Sequence, residues 1–480
     1  MLAIGLAASA FPSHAATFTV INTNDSGAGS LRQALSDAES GAGADIVNIT
    51  ATGTITLTSG QINVSDNAGV TITGPGATNL TITTALNSRV FNFANAGTVR
   101  ISGISFSSAG GAATCAGGAL AFDRTNAAIS QSVFTTNGSS TGGSCGGGAV
   151  LFGSGANPSN TLSIDDSNFD RNRGAAVDAE GVLTISRSVF IGNANGGTDQ
   201  GGAVRLGAGS LTIRDSIFTG NVAGSGGAIL AQGSSITISG STFSSNSVTD
   251  TGGVGGGAAS LVASGAIVIE NSTFTSNIAA GNKSSALSLG GTTTLRNLTI
   301  VGNGAVGTTG TAVDLFGNNP VTLLNTVVSN QASGVDLSGS LGTFSGTNSL
   351  VTDPGTVVLG GSGNLSGTPT IGALANNGSL VVGAAGFTSA LPTMLPPLGS
   401  QLINAGSNAA VGSLSSDQRG AGFARIIGAS VDIGAVETAD VVLVEPPTTT
   451  AVPTLDVFAL LLSTLLTALV GALRLKKRQQ

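Results

Sequence analysis

Histidine is nearly missing from this chain. Its one copy is His14, and there is no tryptophan or tyrosine. Lys283 is the only lysine before Lys476, and there are two cysteines and two methionines. Charged residues make up 9% of the sequence, with a formal net charge of −7. Each shortage excludes a chemistry. Beyond residue 14, Ser-His-Asp and Cys-His catalysis and imidazole metal sites have no imidazole to use. No basic patch exists to neutralise phosphates, so no nucleic-acid partner is expected. The absence of Trp and Tyr removes the usual aromatic platforms for sugar rings, and no cofactor is expected. What the chain does have is 74 glycines and a hydrophobic content of 41% that is patterned, which argues against simple disorder.

The pattern is a repeat. A Gly-Gly-Ala-apolar start recurs at Gly117, Gly147, Gly174, Gly201, Gly226, Gly256, Ser284 and Gly310. The steps between starts are 30, 27, 27, 25, 30, 28 and 26 residues. Each copy closes on an apolar residue followed three positions later by asparagine. The apolar anchors are Phe134, Phe169, Phe190, Phe218, Phe243, Phe274, Ile300 and Val327. The asparagines are Asn137, Asn172, Asn193, Asn221, Asn246, Asn277, Asn303 and Asn330. Inside a copy the hydrophobic period is two, as in Val204/Leu206 around Arg205 and Leu211/Ile213 around Thr212. Short strands with one face inward follow. A block of this size with three short strands makes one coil of a parallel β-helix, whose coils stack about 4.8 Å apart. Phenylalanines then form a core ladder and asparagines a turn ladder. Roughly 14 coils would give a stalk of about 65–70 Å.

Two further expectations depend on this register. Cys115 and Cys145 each lie two residues before the Gly-Gly of neighbouring copies. Stacked in register, their Cα atoms would be about 5 Å apart, within the range for a disulfide. Three residues before the anchor, Asp166, Arg187 and Asp215 occupy consecutive copies, an alternating charge ladder on the outside. Exposed pairs of this kind contribute only about 0–1 kcal/mol each.

The flanking pieces differ from the repeat. Residues 1–15 carry an apolar run and Ser13-His14-Ala15, and resemble a secretory signal peptide. Residues 16–95 are expected to hold an N-terminal cap and the first coils. In that cap Ser30 begins a helix with Leu31, Ala34, Leu35 and Ala38 on one apolar face. Residues 96–345 are the regular repeats, 346–440 C-terminal coils, 441–451 a Pro/Thr linker, and 452–480 a tail. The tail opens with Val452, Pro453, Thr454 and Leu455. It continues through the uncharged run Val457 to Leu473 and ends in Arg474, Lys476, Lys477 and Arg478. That run reaches about 25 Å as a helix, at the short end for a membrane span.

The GGA and FxxN repeats resemble those of polymorphic outer-membrane proteins. Residues 399–437, with Asp417-Gln418-Arg419-Gly420 and Asp432-Ile433-Gly434-Ala435, resemble the choice-of-anchor Q module. The tail resembles the IPTL type of C-terminal sorting signal, with Val452 in place of the usual isoleucine. These resemblances imply export by a Gram-negative-type bacterium. They also imply a membrane-embedded sorting protease of the exosortase type as partner, and a final location at the cell surface or outside the cell.

The expected fold class is therefore all-β: a single right-handed parallel β-helix with a short N-terminal capping helix and a C-terminal transmembrane helix. The expected role is a structural or adhesin-like rod with no catalytic residues. The alternative is a β-helix that binds or degrades polysaccharide. Its best reactive cluster would be Asp165, Asp166, Asp170, Arg171, Arg173, Asp178 and Glu180.

Overall fold

Alternating apolar residues wind the chain into parallel strands that pair only with equivalent strands one coil away. A computed structural model describes residues 14–85, 88–110, 118–138, 147–153, 158–193, 200–304, 310–329, 334–339, 342–439 and 457–476. Contacts divide the chain into two units, Met1–Thr438 and Ala439–Gln480.

The first unit holds two long parallel sheets. Among the described residues one has 12 strands, from Gly53–Leu57 to Leu350–Val351. The other has 21 strands. Several of these, such as Val177–Ser186 and Val204–Arg214, run across two faces and are offset by a bulge. Phe134 pairs with Phe169, then Phe190, Phe218, Phe243 and Phe274 in turn, so like residues stand above like. Between the two sheets lies one continuous core. Among the described residues the 12-stranded sheet gives twelve rungs, about 53 Å at the ordinary strand spacing, and one face of the 21-stranded sheet stacks fourteen, from Thr17–Val20 to Gly360–Ser362, about 62 Å, in keeping with the 14 coils expected.

Parallel pairing between coils ends at Leu365. Instead of adding coils, residues 383–438 fold back along the outer face of the 12-stranded sheet. Their backbone bonds to side chains from Asn168 to Asn348, which spans most of the stack. This segment lacks the period-two pattern and has Pro392, Pro396 and Pro397, which cannot donate to a ladder. One anchor also shifts. Ile300 pairs with Val328, so Val328 faces the core, while Val327 faces outward into a small cluster with Met394, Leu402 and Ile433.

At the start of the stack, helix α1 (Leu31–Ser40) covers the first coil with Leu31, Ala34, Leu35 and Ala38 buried. The Ser30 hydroxyl accepts from the Gln33 N–H at 3.2 Å and caps it. Asp25 ties this cap to the next coils by accepting from Arg32, Thr58 and Ser59. Burial pushes its carboxyl up, but those three donors outweigh it and hold the group well below the usual range.

Taken by itself, the second unit contains helix α2 (Val457–Lys476). Among the described residues no helix is long and apolar enough to cross a membrane, so the expected transmembrane helix is not supported. The uncharged run has 17 residues, interrupted by Ser463, Thr464 and Thr467, where a span needs about 20. Cys115, Cys145, Asn330, Val452–Leu455, Lys477 and Arg478 lie outside the described residues.

The glycine starts have a steric cause. The second glycine of each pair faces the backbone of the next coil; a Cβ on Gly227 would run into the Gly257 carbonyl oxygen. Gly227→Ala should therefore lower stability by about 1–3 kcal/mol, and Phe218→Ala by about 3–5 kcal/mol, both read by denaturant unfolding. Wild-type midpoints for both variants would show that the rungs do not pack in this register.

Candidate functional site

The rung register gathers chemistry into rows. From Phe106 to Phe274, seven rings stack with centroids 4.6–5.0 Å apart and planes within 14° of parallel. Phe106 joins the column one coil before the first Gly-Gly-Ala copy. All seven rings are fully buried.

Beside them the asparagines Asn137, Asn172, Asn193, Asn221, Asn246, Asn277 and Asn303 are also fully buried. Each Nδ2 from Asn137 to Asn277 donates to the Oδ1 of the next asparagine at 2.8–3.0 Å. The same Nδ2 also donates to a phenylalanine carbonyl one coil back at 2.9–3.1 Å. The Oδ1 accepts in addition from the preceding asparagine's backbone N–H. Every amide thus links three rungs and leaves no polar atom stranded, the condition under which buried polar groups stabilise.

A second polar row is equally regular. Ser132, Ser167, Ser188, Ser216, Ser241 and Ser272 stand two residues before the anchors. Each hydroxyl from Ser167 to Ser272 accepts from the backbone N–H of the serine one coil back, at 3.1–3.3 Å. Sequence reasoning passed over this row, although the signal was the constant Ser-x-Phe spacing.

The charge ladder has a conformational origin. Asp166, Arg187 and Asp215 all sit at positive φ. So do their counterparts Gly103, Gln131, Gly240, Asn271, Asn297, Asn325 and Asn348, with φ from 44° to 69°. Every rung makes the same left-handed turn, and Gly, Asn and Asp tolerate it best. Arg187 grips Asp166 with two nitrogens at 2.9 and 3.0 Å and also pairs with Asp165. Asp215 makes no salt bridge among the described residues, and burial pushes its carboxyl up against the opposing pull of Arg187 and Arg214. The row is a turn row with one ion pair in it, not a continuous ladder of charges.

The carboxylates of 165–180 do not converge. Asp165 and Asp166 close one strand and serve Arg187. Asp170 closes a strand of the other sheet and pairs with Arg171 at 2.6 Å. Asp178 lies on a third strand, buried against Arg205 at 2.8 Å. Burial raises the Asp178 carboxyl, Arg205 opposes that rise, and Glu180 adds to it.

The tightest polar cluster is in the flank segment. Gln418 donates to the Thr242 hydroxyl at 2.8 Å and to the Ser241 carbonyl at 3.0 Å, and accepts from Thr273, clamping two rungs. Arg425 is 1% exposed; it pairs with Glu437 at 2.6 Å and donates to the carbonyls of Asp432, Gly434 and Ala435. Asp417 accepts from Arg419 and from the Glu437 N–H. Three carboxylates here face two guanidiniums. Burial pushes Glu437 up to about 8; Arg425 pulls it down, and Asp432 and Asp417 push it further up.

A cleft opens on the outer face of the 21-stranded sheet, with a volume of about 420 Å³. Its floor is the outward file Ser288, Asp314 and Ser338, which sit in register on successive coils. Phe316 and Lys283 stand at its sides, and Val254 lies on the facing loop.

Residues 159–371 match a family model described as a right handed beta helix region. The chain is thus an all-β, right-handed β-helix solenoid. Among solved structures it is similar to a PL6 family alginate lyase, AlyGC, with 13% identity and a TM-score of 0.38 over 74% of this chain and 54% of that one. A mutant of the same lyase gives 13% identity and a TM-score of 0.40 over 73% and 54%. The chain spans about half the length of those structures. No curated protein matches the sequence.

Glu437 sets a pH dependence. Between its ordinary value of 4.5 and about 8, the folded chain holds this proton and the unfolded chain has released it. The folded state binds more protons there, so stability should fall as pH rises, by up to about 1.4 kcal/mol per pH unit. Thermal melts between pH 5 and 8 should show the fall in wild type and a flatter profile in Glu437→Gln. Identical profiles would assign the pH dependence to another group.

Proposed function

We propose that the protein is an exported rod, attached at the cell surface, with a structural or adhesive role. The observation that carries this reading is the flank segment. Residues 383–438 bond to outward Asn and Thr side chains from Asn168 to Asn348 and fasten the rungs lengthwise. Such a lengthwise fastening opposes the separation of coils, which suits a spacer that bears load. Outer positions Thr184, Thr212 and Thr237 and, past Val268, Thr294 and Thr322 line one face with small hydroxyl side chains. That face is a surface to present rather than a centre of reactive groups.

The tail is proposed as a processing and attachment signal. Support comes from the Val-Pro-Thr-Leu run, the apolar helix and the basic end, which together resemble the IPTL type of sorting signal. A membrane-embedded protease of the exosortase type would be the partner that reads it. The segment 399–437, which lies along the coils, is proposed as a choice-of-anchor Q module on its resemblance to that family. Deleting residues 453–480 should move the product from the envelope fraction to the medium, as read by cell fractionation. Unchanged envelope attachment would contradict the sorting role.

The second reading is polysaccharide binding, and the observation favouring it is the cleft around Asp314. A cleft of about 420 Å³ falls in the size range of small-ligand sites. A glycan array probed with the full chain tests it.

A further inference from the structure

We propose that the cleft is a saccharide subsite for a sugar ring that carries a carboxylate. The inference rests on the polysaccharide-binding reading and adds to it a location and a ligand class. Its first support is Phe316. One side of that ring lies on Gly290, where a Cβ would come within 2.6 Å of ring carbons Cε2 and Cζ. The side chain is nonetheless 38% exposed, unlike the fully buried rings of the core column. Glycine on the strand makes room for the ring, which lines the cleft with more than a third of its surface accessible. A π face is negative and attracts the polarised C–H groups of a pyranose.

The second support is the floor of the cleft. Asp314 accepts from the Ser338 hydroxyl, which holds the carboxylate in place. Ser288 lies beside it in register. A fixed carboxylate with neighbouring hydroxyls is suited to adjacent sugar hydroxyls, which donate and accept together.

The third support is Lys283. It stands in the same cleft as Asp314, yet makes no salt bridge among the described residues. It is also the only lysine before Lys476 in a chain of net charge −7. A compact ammonium that no carboxylate of the described residues bonds directly supplies the charge-assisted bond that a ligand carboxylate would complete. The walls are held in advance: the Val254 N–H donates to Ser225 Oγ at 2.9 Å, and the Gly256 N–H to Ser284 Oγ at 2.8 Å.

Isothermal titration of the full chain tests this. The ligands are a tetrasaccharide of 1,4-linked uronic acids and the neutral hexose tetrasaccharide of the same linkage. Wild type should bind the uronic acid form more tightly. Phe316→Ala should weaken both ligands by about tenfold or more, and Lys283→Gln should weaken only the acidic one, by a similar factor. Melting curves confirm that both variants remain folded. Acidic binding unchanged in both variants would place the carbohydrate site elsewhere and overturn this inference while sparing the carbohydrate reading. Equal loss of both ligands in Lys283→Gln would overturn the carboxylate assignment. Binding of neither saccharide by wild type, together with a blank glycan array, would overturn the inference and the reading beneath it.

Discussion

Everything in this molecule depends on vertical register: a backbone ladder that sets each coil one strand spacing above the last, with equivalent residues aligned. A slip of one residue would turn every inward side chain outward. It would also separate each asparagine from the next and leave buried amides unsatisfied, at a cost of about 1–3 kcal/mol per group. The stacked phenylalanines supply burial, and burial alone tolerates some slippage. The asparagine and serine rows do not, because their bonds have direction and length. Apolar stacking therefore drives the coils together while the polar rows choose the alignment.

The flank segment extends this logic across the stack. A solenoid in which each coil touches only its neighbours can open at any interface. Here Gln418, Asn271 and Asn325 join the flank to separate rungs, and the Arg425–Glu437 pair makes the flank rigid within itself. A buried pair of this kind is weak evidence for added stability, since desolvation opposes attraction. Its role is better described as fixing one conformation of a segment whose regular structure is limited to the short strand Ser389–Ala390 and the single 3-10 turn Asn408–Val411. Burial is the main reason Glu437 holds its proton so far above the ordinary range, and the excess of one carboxylate in that cluster adds to it.

How much of this was readable beforehand depended on whether a feature repeats. The phenylalanine and asparagine rows were readable because the same letter returns at a fixed offset. The serine row repeats as strictly, but a serine beside a turn is a common residue at an exposed position, so its letter alone does not mark a buried bond. The turn row was misread because its constant is a dihedral angle: Asp166, Arg187, Gly240 and Asn271 share a conformation and no side-chain chemistry. The cap helix was legible from Ser30 and one apolar face. The flank segment was not, since its hydrogen-bond partners on the coils lie 57 to 254 residues away and mix side-chain and backbone groups without any period. The outward Val133, Val189 and Ile217 were a trace of it, because such residues on an exterior face need a cover.

The most direct measurement is hydrogen exchange of the asparagine side-chain amides, read by NMR on protein labelled at asparagine. The account predicts strong protection for Asn172, Asn193, Asn221, Asn246 and Asn277, matching that of the core backbone, and rapid exchange for exposed amides such as Asn63. Side-chain amides of the five that exchange as fast as Asn63 in folded protein would contradict the coil-to-coil register on which the account depends.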